Sequence, residues 1–376
     1  MAQKLRKIKI LFTIPNFDTA GSGKALLKVA QRLDKERFIP EILCMHDRGA
    51  FFNVVKKSGI KVYVYQYTTP IKPYIRGLKE VFKISRFFKS IDPDIIHSFH
   101  YAPDYSEPLA ARLVGIKWMY TKKNMNWGGN SANGWRLRSW LANHILVQNK
   151  DMISEFFPKS YKISLVPRGV DTKEFYPYRM HQKIKKEYQL KESNRILICV
   201  ANLVPVKGIE ILLEAFKKVK DNHKEWKLFI VGDTNNTYSR NLKKIVAKEI
   251  EEREIFFTGK VLNVKEYLNS AEIFVLPTLN KGRKEGSPVA LLEAMACGLN
   301  VIASKIPGIK DQLENYPDHI FDAGSIDELS KKMITYMSMK TDDNISIGKQ
   351  FHSHIKDTYK IEHEVQKTEE VYLKLI

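Results

Sequence analysis

The sequence predicts an α/β chain folded as two doubly wound parallel sheets, and three observations lead there. Short apolar runs of strand length are separated by stretches with helical periodicity, the alternation a parallel sheet requires. The same alternation is repeated in the second half of the chain. A length of 376 residues with 44% hydrophobic content suits two domains better than one.

Ile8-Lys-Ile-Leu-Phe-Thr-Ile14 is the first strand. It leads into Asn16-Phe-Asp-Thr-Ala-Gly-Ser-Gly-Lys24 and then an amphipathic helix to about Leu33. A Gly-rich turn between strand and helix can bring backbone close to a phosphate, so Gly21 and Gly23 are either phosphate contacts or parts of an ordinary tight turn. It is not a P-loop: Asp18 stands where the first Gly is needed, and Ala25 where Ser or Thr should follow Lys24.

Further strands are read at Glu41–Met45, Lys61–Tyr65, Asp94–His97, Trp118–Thr121 and His144–Val147. Between the third and fourth, Lys72, Arg76, Lys79, Lys83 and Arg86 recur at helical spacing, with Ile75, Leu78 and Phe82 on other faces. That helix presents either a solvated outer face or a membrane-contact surface. Asp92-Pro-Asp94 has a D-x-D spelling used for metal, but before a strand, with Pro93 stiffening it, it reads as a strand-entry turn. His97-Ser-Phe-His100 and Thr121-Lys-Lys-Asn124 close two strands at the edge where open α/β sheets bind ligands. The loop Asn126–Gly134 is polar and Gly-rich, with Trp127 and Trp135 at its ends; such rings suit sugar recognition or core anchoring equally.

In the second half, strands are read at Ile196–Asn202, Lys227–Gly232, Ile255–Gly259, Ile273–Pro277 and Asn300–Ser304. A polar, Lys-rich helix precedes them, to about residue 193. Glu285-Gly-Ser-Pro-Val-Ala-Leu-Leu-Glu293-Ala-Met-Ala-Cys-Gly298 lies between the last two strands and reads as a loop and an amphipathic helix. Ser287 suits the N-cap, Pro288 the first helical position and Gly298 the C-terminal cap. The unpaired amides of such a helix start, with the dipole behind them, form an anion site. Glu285 precedes that site and Glu293 lies about 8 Å further along the helix. Carboxylates beside a phosphate pocket are suited to sugar hydroxyls rather than to phosphate.

Glu285-x7-Glu293, the following Met295-Ala-Cys-Gly298, and Val166-Pro-Arg-Gly-Val-Asp-Thr-Lys-Glu-Phe175 with its P-x-G-V-D-x-x-x-F pattern resemble the retaining glycosyltransferases of family 4, which have the GT-B fold. The resemblance implies two Rossmann-like doubly wound domains facing across a cleft that holds the active site. Residues 1–170 would bind the acceptor, 171–355 the nucleotide-sugar, and 356–376 would form a helix returning to the N-terminal domain. It implies that Glu285 contacts the donor sugar and Glu293 the ribose. Gly286, Ser287, Pro288 and Val289 would hold sugar hydroxyls and pyrophosphate, and Gly21 and Gly23 would face the donor phosphates. In Asn202-Leu-Val-Pro-Val-Lys207-Gly208 the cation Lys207 is kept for the diphosphate, while Asn202 stands where the family carries arginine. Lys281, Arg283 and Lys284 are candidates to replace that charge. The loop Phe257-Thr-Gly-Lys-Val261 would present backbone to the base, and Pro307-Gly308 matches a further family loop. His100 falls in the family's His-x-His region, and Lys123 stands where a reaction-centre histidine is usual.

The activity implied is transfer of a sugar from a UDP-sugar or other nucleotide-sugar to a glycan or lipid-linked acceptor, with no metal and no cofactor. The alternatives are a non-catalytic membrane- or polyanion-binding protein on the same scaffold, or a nucleotide-sugar epimerase. Composition constrains the setting. Residues 1–180 hold 31 Lys and Arg against 14 Asp and Glu, whereas residues 181–376 hold 31 against 28. The basic first half suits nucleic acid, an anionic membrane surface or a phosphorylated substrate, or simply keeps the chain soluble; no nucleic-acid motif accompanies it, so nucleic acid is not expected as a partner. Cys44, Cys199 and Cys297 are few and scattered, which favours a reducing compartment and argues against a cysteine zinc site. No apolar run is long enough to span a bilayer, and the start of the chain reads as a strand rather than a signal peptide. A cytoplasmic protein, peripheral on the membrane's cytoplasmic face, is the resulting expectation.

Overall fold

The computed structural model describes residues 6–18, 20–127, 131–178, 181–282 and 285–376. The chain divides into two compact units, Met1–Pro167 with Ile361–Ile376, and Arg168–Lys360.

The first unit is built on β1 (Ile8–Ile14), β2 (Phe38–Cys44), β3 (Lys61–Val64), β4 (Ile95–Ser98), β5 (Lys117–Lys122), β6 (His144–Val147) and β7 (Ile163–Leu165). These form one parallel sheet in the order β3-β2-β1-β4-β5-β6-β7. Side chains alternate between faces, so Ile10, Phe12 and Ile14 enter one core and Leu11 the other. Helices Ala20–Arg32 and Ile361–Leu375 cover the first face. Helices Tyr74–Ile91, Ser106–Leu113 and Ala132–Leu141 contribute to the second. The final helix is keyed in by a buried polar contact: Tyr372 meets His97 Nδ1 at 2.6 Å, and His97 Nε2 meets Thr121 Oγ1 at 2.8 Å. Burial and the nearby Lys123 charge push His97 down to about 3, so the ring is neutral.

The second unit carries β8 (Arg195–Val200), β9 (Trp226–Val231), β10 (Ile255–Gly259), β11 (Ile273–Leu276), β12 (Asn300–Ser304) and β13 (Ile320–Phe321). They are parallel in the order β10-β9-β8-β11-β12-β13. Each sheet reverses its strand order next to β1 or β8, which defines two Rossmann-like domains.

Several local expectations change. β7 and β13 are edge strands that the apolar pattern does not announce. The helix after β1 begins at Ala20, so Gly21 and Gly23 lie in its first turn rather than in a preceding turn. The Lys-rich helix is the short His181–Glu187. Asp92-Pro-Asp94, by contrast, is the strand-entry turn expected of it, with Asp92 at φ 55 and the Asp94 carboxylate accepting from the Lys9 amide at 2.8 Å. Among the described residues, no helix is long and apolar enough to cross a membrane.

Candidate active site

In the second unit the loops leaving β8, β11 and β12 converge. The chain after β8 makes one 3-10 turn, Pro205–Lys207, and then Gly208 with φ 61. A Cβ at Gly208 would lie 2.3 Å from the Pro277 carbonyl, so only glycine permits this approach. The Leu279 amide donates to Val206 O at 2.8 Å and completes the seam. Lys207 is thereby held beside the segment leaving β11, where its Nζ donates to Glu285 Oε1. Both side chains are mostly buried, at 13% and 26% exposure. Two sequence candidates separated by 78 positions therefore form one ion pair.

Helix Val289–Ala296 follows, and its cap differs by one residue from the expected one. Pro288 is the N-cap, with φ −72 and ψ 115, and no side chain caps the helix. The Ser287 hydroxyl instead accepts from Gln312 Nε2 at 3.0 Å; the same Gln312 group reaches Pro288 O at 3.3 Å. Gly308, at φ 81, lies under this loop, where a Cβ would fall 2.1 Å from Gly286 O. The helix is not amphipathic: Leu291, Leu292, Ala294, Met295 and Ala296 are all buried, and only Val289, Ala290 and Glu293 are partly exposed. At its other end Gly298 takes φ 76, and the amides of Gly298 and Leu299 return to Met295 O and Ala294 O at 3.0 and 3.1 Å.

Three polar atoms along this edge are buried without a hydrogen-bond partner: Glu285 Oε2, Thr278 Oγ1 and Gln312 Oε1. Each would cost about 1–3 kcal/mol if left dry and unpaired. Together with the first-turn amides, which have no intrahelical acceptors, they make an edge suited to a polyhydroxylated anion. Gln312 was not found from the sequence; a single Gln four residues beyond Pro307-Gly308 carries no motif. Asn202 is exposed beside the Lys207 turn. Val261 is partly buried against the core, so its backbone rather than its side chain is available to a ligand. Lys281 is exposed, and Arg283 and Lys284 lie outside the described residues. The cavity bounded by Pro177, Asn269, Leu299 and Asn344 reaches Cys297 and Gly298, at the opposite end of the helix from the Lys207–Glu285 pair.

In the first unit, Gly21 is exposed with open space around it. Gly23 is buried, and a Cβ there would lie 2.8 Å from the Phe17 ring, so packing alone accounts for this glycine. His100 follows β4 with its Nδ1 buried and unpaired. Burial, then the Arg138 and Lys123 charges, push it down to about 3. Lys123 Nζ donates to Phe99 O, next to His100 in the chain. Behind them lies a fully buried ion pair: Arg138 reaches Glu107 Oε2 at 3.4 Å, Ser98 Oγ at 3.0 Å, His100 O at 3.2 Å and Asp104 O at 2.6 Å. The sequence offered no signal for this pair. Trp127 and Trp135 are anchors: with Phe156 they box the buried ammonium of Lys122, at 5.0, 5.6 and 4.1 Å from the ring centres. Desolvation pushes Lys122 down to about 7. Gly128, Gly129 and Asn130 of that loop lie outside the described residues.

Two Rossmann-like units, each with its loops gathered at the carboxyl edge of a parallel sheet, define the GT-B class. Residues 19–174 match Glycosyltransferase Family 4, and residues 180–350 match Glycosyl transferases group 1. The chain belongs to these GT-B glycosyltransferases. It is 24% identical, over 95% of its length and 94% of the relative's, to the Escherichia coli UDP-Gal:alpha-D-GlcNAc-diphosphoundecaprenol alpha-1,3-galactosyltransferase. A Rickettsia africae glycosyltransferase structure superposes with a TM-score of 0.85 at 19% identity, covering 99% of both chains. Anabaena HepE in complex with UDP and glucose superposes at 0.78 and 16% identity, over 97% of this chain and 99% of that one.

Proposed function

We propose that this glycosyltransferase moves a sugar from a UDP-sugar to a lipid-linked glycan with retention of anomeric configuration, and that it works on the cytoplasmic face of a membrane. The observation that carries the reading is the Lys207–Glu285 pair at the start of a buried helix, with Glu285 Oε2 buried and unpaired. The E. coli relative, named for a UDP-galactose donor and a diphosphoundecaprenol-linked acceptor, supports both substrate classes. HepE, solved with UDP, supports the base.

In this reading Glu285 accepts from sugar hydroxyls, and the amides of Gly286, Ser287 and Val289 meet the sugar and pyrophosphate, with Pro288 shaping the loop between them. Glu293 accepts from the ribose, and the backbone at Val261 meets the uracil. Asn202 borders the diphosphate; in the first unit the open backbone at Gly21 suits a phosphate, and Gly23 packs its helix start on Phe17. Lys207 turns from Glu285 to the diphosphate as the bond from the anomeric carbon to the phosphate oxygen breaks and its electron pair leaves with UDP. The acceptor oxygen attacks from the same face, and its proton passes to the departing phosphate oxygen. Neutral His100, with Lys123 beside it, faces the acceptor. Cationic side chains carry the charge stabilisation, with no metal or cofactor.

Glu293→Gln tests the nucleotide part. An amide accepts more weakly than a carboxylate, so UDP binding measured by calorimetry should weaken by ~1.5–3 kcal/mol. Unchanged affinity in a folded variant removes Glu293 from the site.

A further inference from the structure

The helix Tyr74–Ile91 buries Gly77, Val81, Ile84, Ser85, Phe88 and Ile91 against the first unit. Ile75, Leu78 and Phe82 do not join them: they are 78%, 45% and 56% exposed, and Tyr74 at the helix start is 60% exposed. At about 100° per residue the three fall within an arc of roughly 60°. Arg76, Lys79, Lys83 and Arg86 are all exposed and occupy the adjoining arc, roughly 80° wide. The helix has one acidic residue, Glu80, and Lys83 already neutralises it at 2.7 Å. The helix therefore has three faces: one in the core, one apolar and open to water, one cationic.

We infer that this helix is the element by which the protein seats itself on an anionic lipid surface, with Ile75, Leu78 and Phe82 entering the acyl boundary and the four cations lying among the headgroups. An apolar row beside a basic row is what an interfacial helix needs. Charge complementarity selects anionic lipid, and the apolar row selects a bilayer over nucleic acid, which would neutralise the cations but leave Ile75, Leu78 and Phe82 in water. Exposed apolar side chains also occur on two other helices of the same layer. Leu113 is 48% exposed and Trp140 63%, with the Arg112 guanidinium 5.0 Å from the Trp140 ring. The inference rests on the lipid-linked-acceptor reading for its purpose, since seating the first unit on the bilayer brings it to its acceptor, but the binding itself does not require that reading.

Co-sedimentation of the full chain with phosphatidylcholine vesicles, with and without phosphatidylglycerol, tests it. The wild type should pellet only with the anionic vesicles. Part of that binding should survive at 1 M salt, where the Debye length is ~3 Å and headgroup attraction is screened. Ile75→Ser/Leu78→Ser/Phe82→Ser should abolish the salt-resistant part, and Arg76→Glu/Lys79→Glu/Lys83→Glu/Arg86→Glu the salt-sensitive part. All seven positions are exposed, and circular dichroism checks that each variant is folded. Phe82→Trp should shift its emission to the blue on anionic vesicles and be quenched by brominated lipid. Wild-type protein left in the supernatant at low salt, binding of nucleic acid in place of vesicles, or a serine variant that binds like wild type at every salt concentration would overturn the inference. UDP-sugar turnover with a soluble acceptor is read in parallel. If turnover is absent while vesicle binding behaves as described, the transfer reading fails and this one stands.

Discussion

Lys207→Ala should lower turnover of the nucleotide-sugar by about 10²–10³ while costing fold stability less, an asymmetry that follows from where the lysine sits. The ion pair with Glu285 is mostly buried, so removing the lysine should cost folding about 1–3 kcal/mol through the carboxylate it leaves unpaired. The charge that develops on a departing diphosphate is another matter, because a preorganised donor aimed at it is worth about 2.7–4 kcal/mol in the transition state. The variant also frees Glu285 Oε1, next to the already unpaired Oε2, so a carboxylate without its counter-ion would face the leaving group. Steady-state kinetics with a UDP-sugar and a soluble acceptor, alongside a melting curve, check both halves. Activity within twofold of wild type would transfer the role to another cation. The same assay run in EDTA should retain wild-type activity, and a strict requirement for added metal would contradict a mechanism in which cationic side chains carry the charge.

Most of the fold could be read from the sequence because parallel strands buried on both faces appear as continuous apolar runs. β11, with Ile273, Phe274, Val275 and Leu276 all buried, is such a run. β7 and β13 could not, since three- and two-residue edge strands carry too little pattern to separate from loop. Among the candidate site residues, Glu285 stood out just before a helix start between two buried strands, whereas Lys207 and Gly308 were singled out only through the family resemblance. Gln312 was not, since its role depends on reaching Ser287 across space. Gly23, after β1, shows a different limit. A Gly-rich stretch looks like a phosphate turn, yet Gly23 is explained by the Phe17 ring lying where its Cβ would be. The same limit hid the third face of Tyr74–Ile91. Periodicity separates apolar from charged positions, but it does not say which apolar positions the sheet covers, and Ile75, Leu78 and Phe82 lie outside that footprint.

Arg138→Leu should be among the most damaging single changes in the first unit, and its cost should depend on pH in a predictable direction. Arg138 and Glu107 are fully buried, and removing one member of such a pair leaves the other charge uncompensated, at about 3–5 kcal/mol. Burial raises the Glu107 pKa, and the Arg138 charge opposes that rise together with the hydrogen bonds from Thr13 and Ser98. Without Arg138 the folded-state pKa moves further up, away from the unfolded value near ~4.3. A group whose pKa is raised on folding takes up a proton more readily in the native state. Its contribution is therefore fully present below the unfolded pKa and is lost as pH rises through the folded one. The stability gap between wild type and Arg138→Leu should accordingly be widest at pH 8 and narrow toward pH 5, where the variant's Glu107 becomes neutral and needs no counter-ion. Thermal unfolding of the first unit followed at the two pH values measures this directly. The double variant Arg138→Leu/Glu107→Leu should recover part of the loss at pH 8, because it removes the buried charge along with its partner. A gap that stays constant with pH, or a double variant no better than the single one, would mean that Arg138 acts through its hydrogen bonds to His100 O and Asp104 O and that Glu107 is already protonated in the wild type.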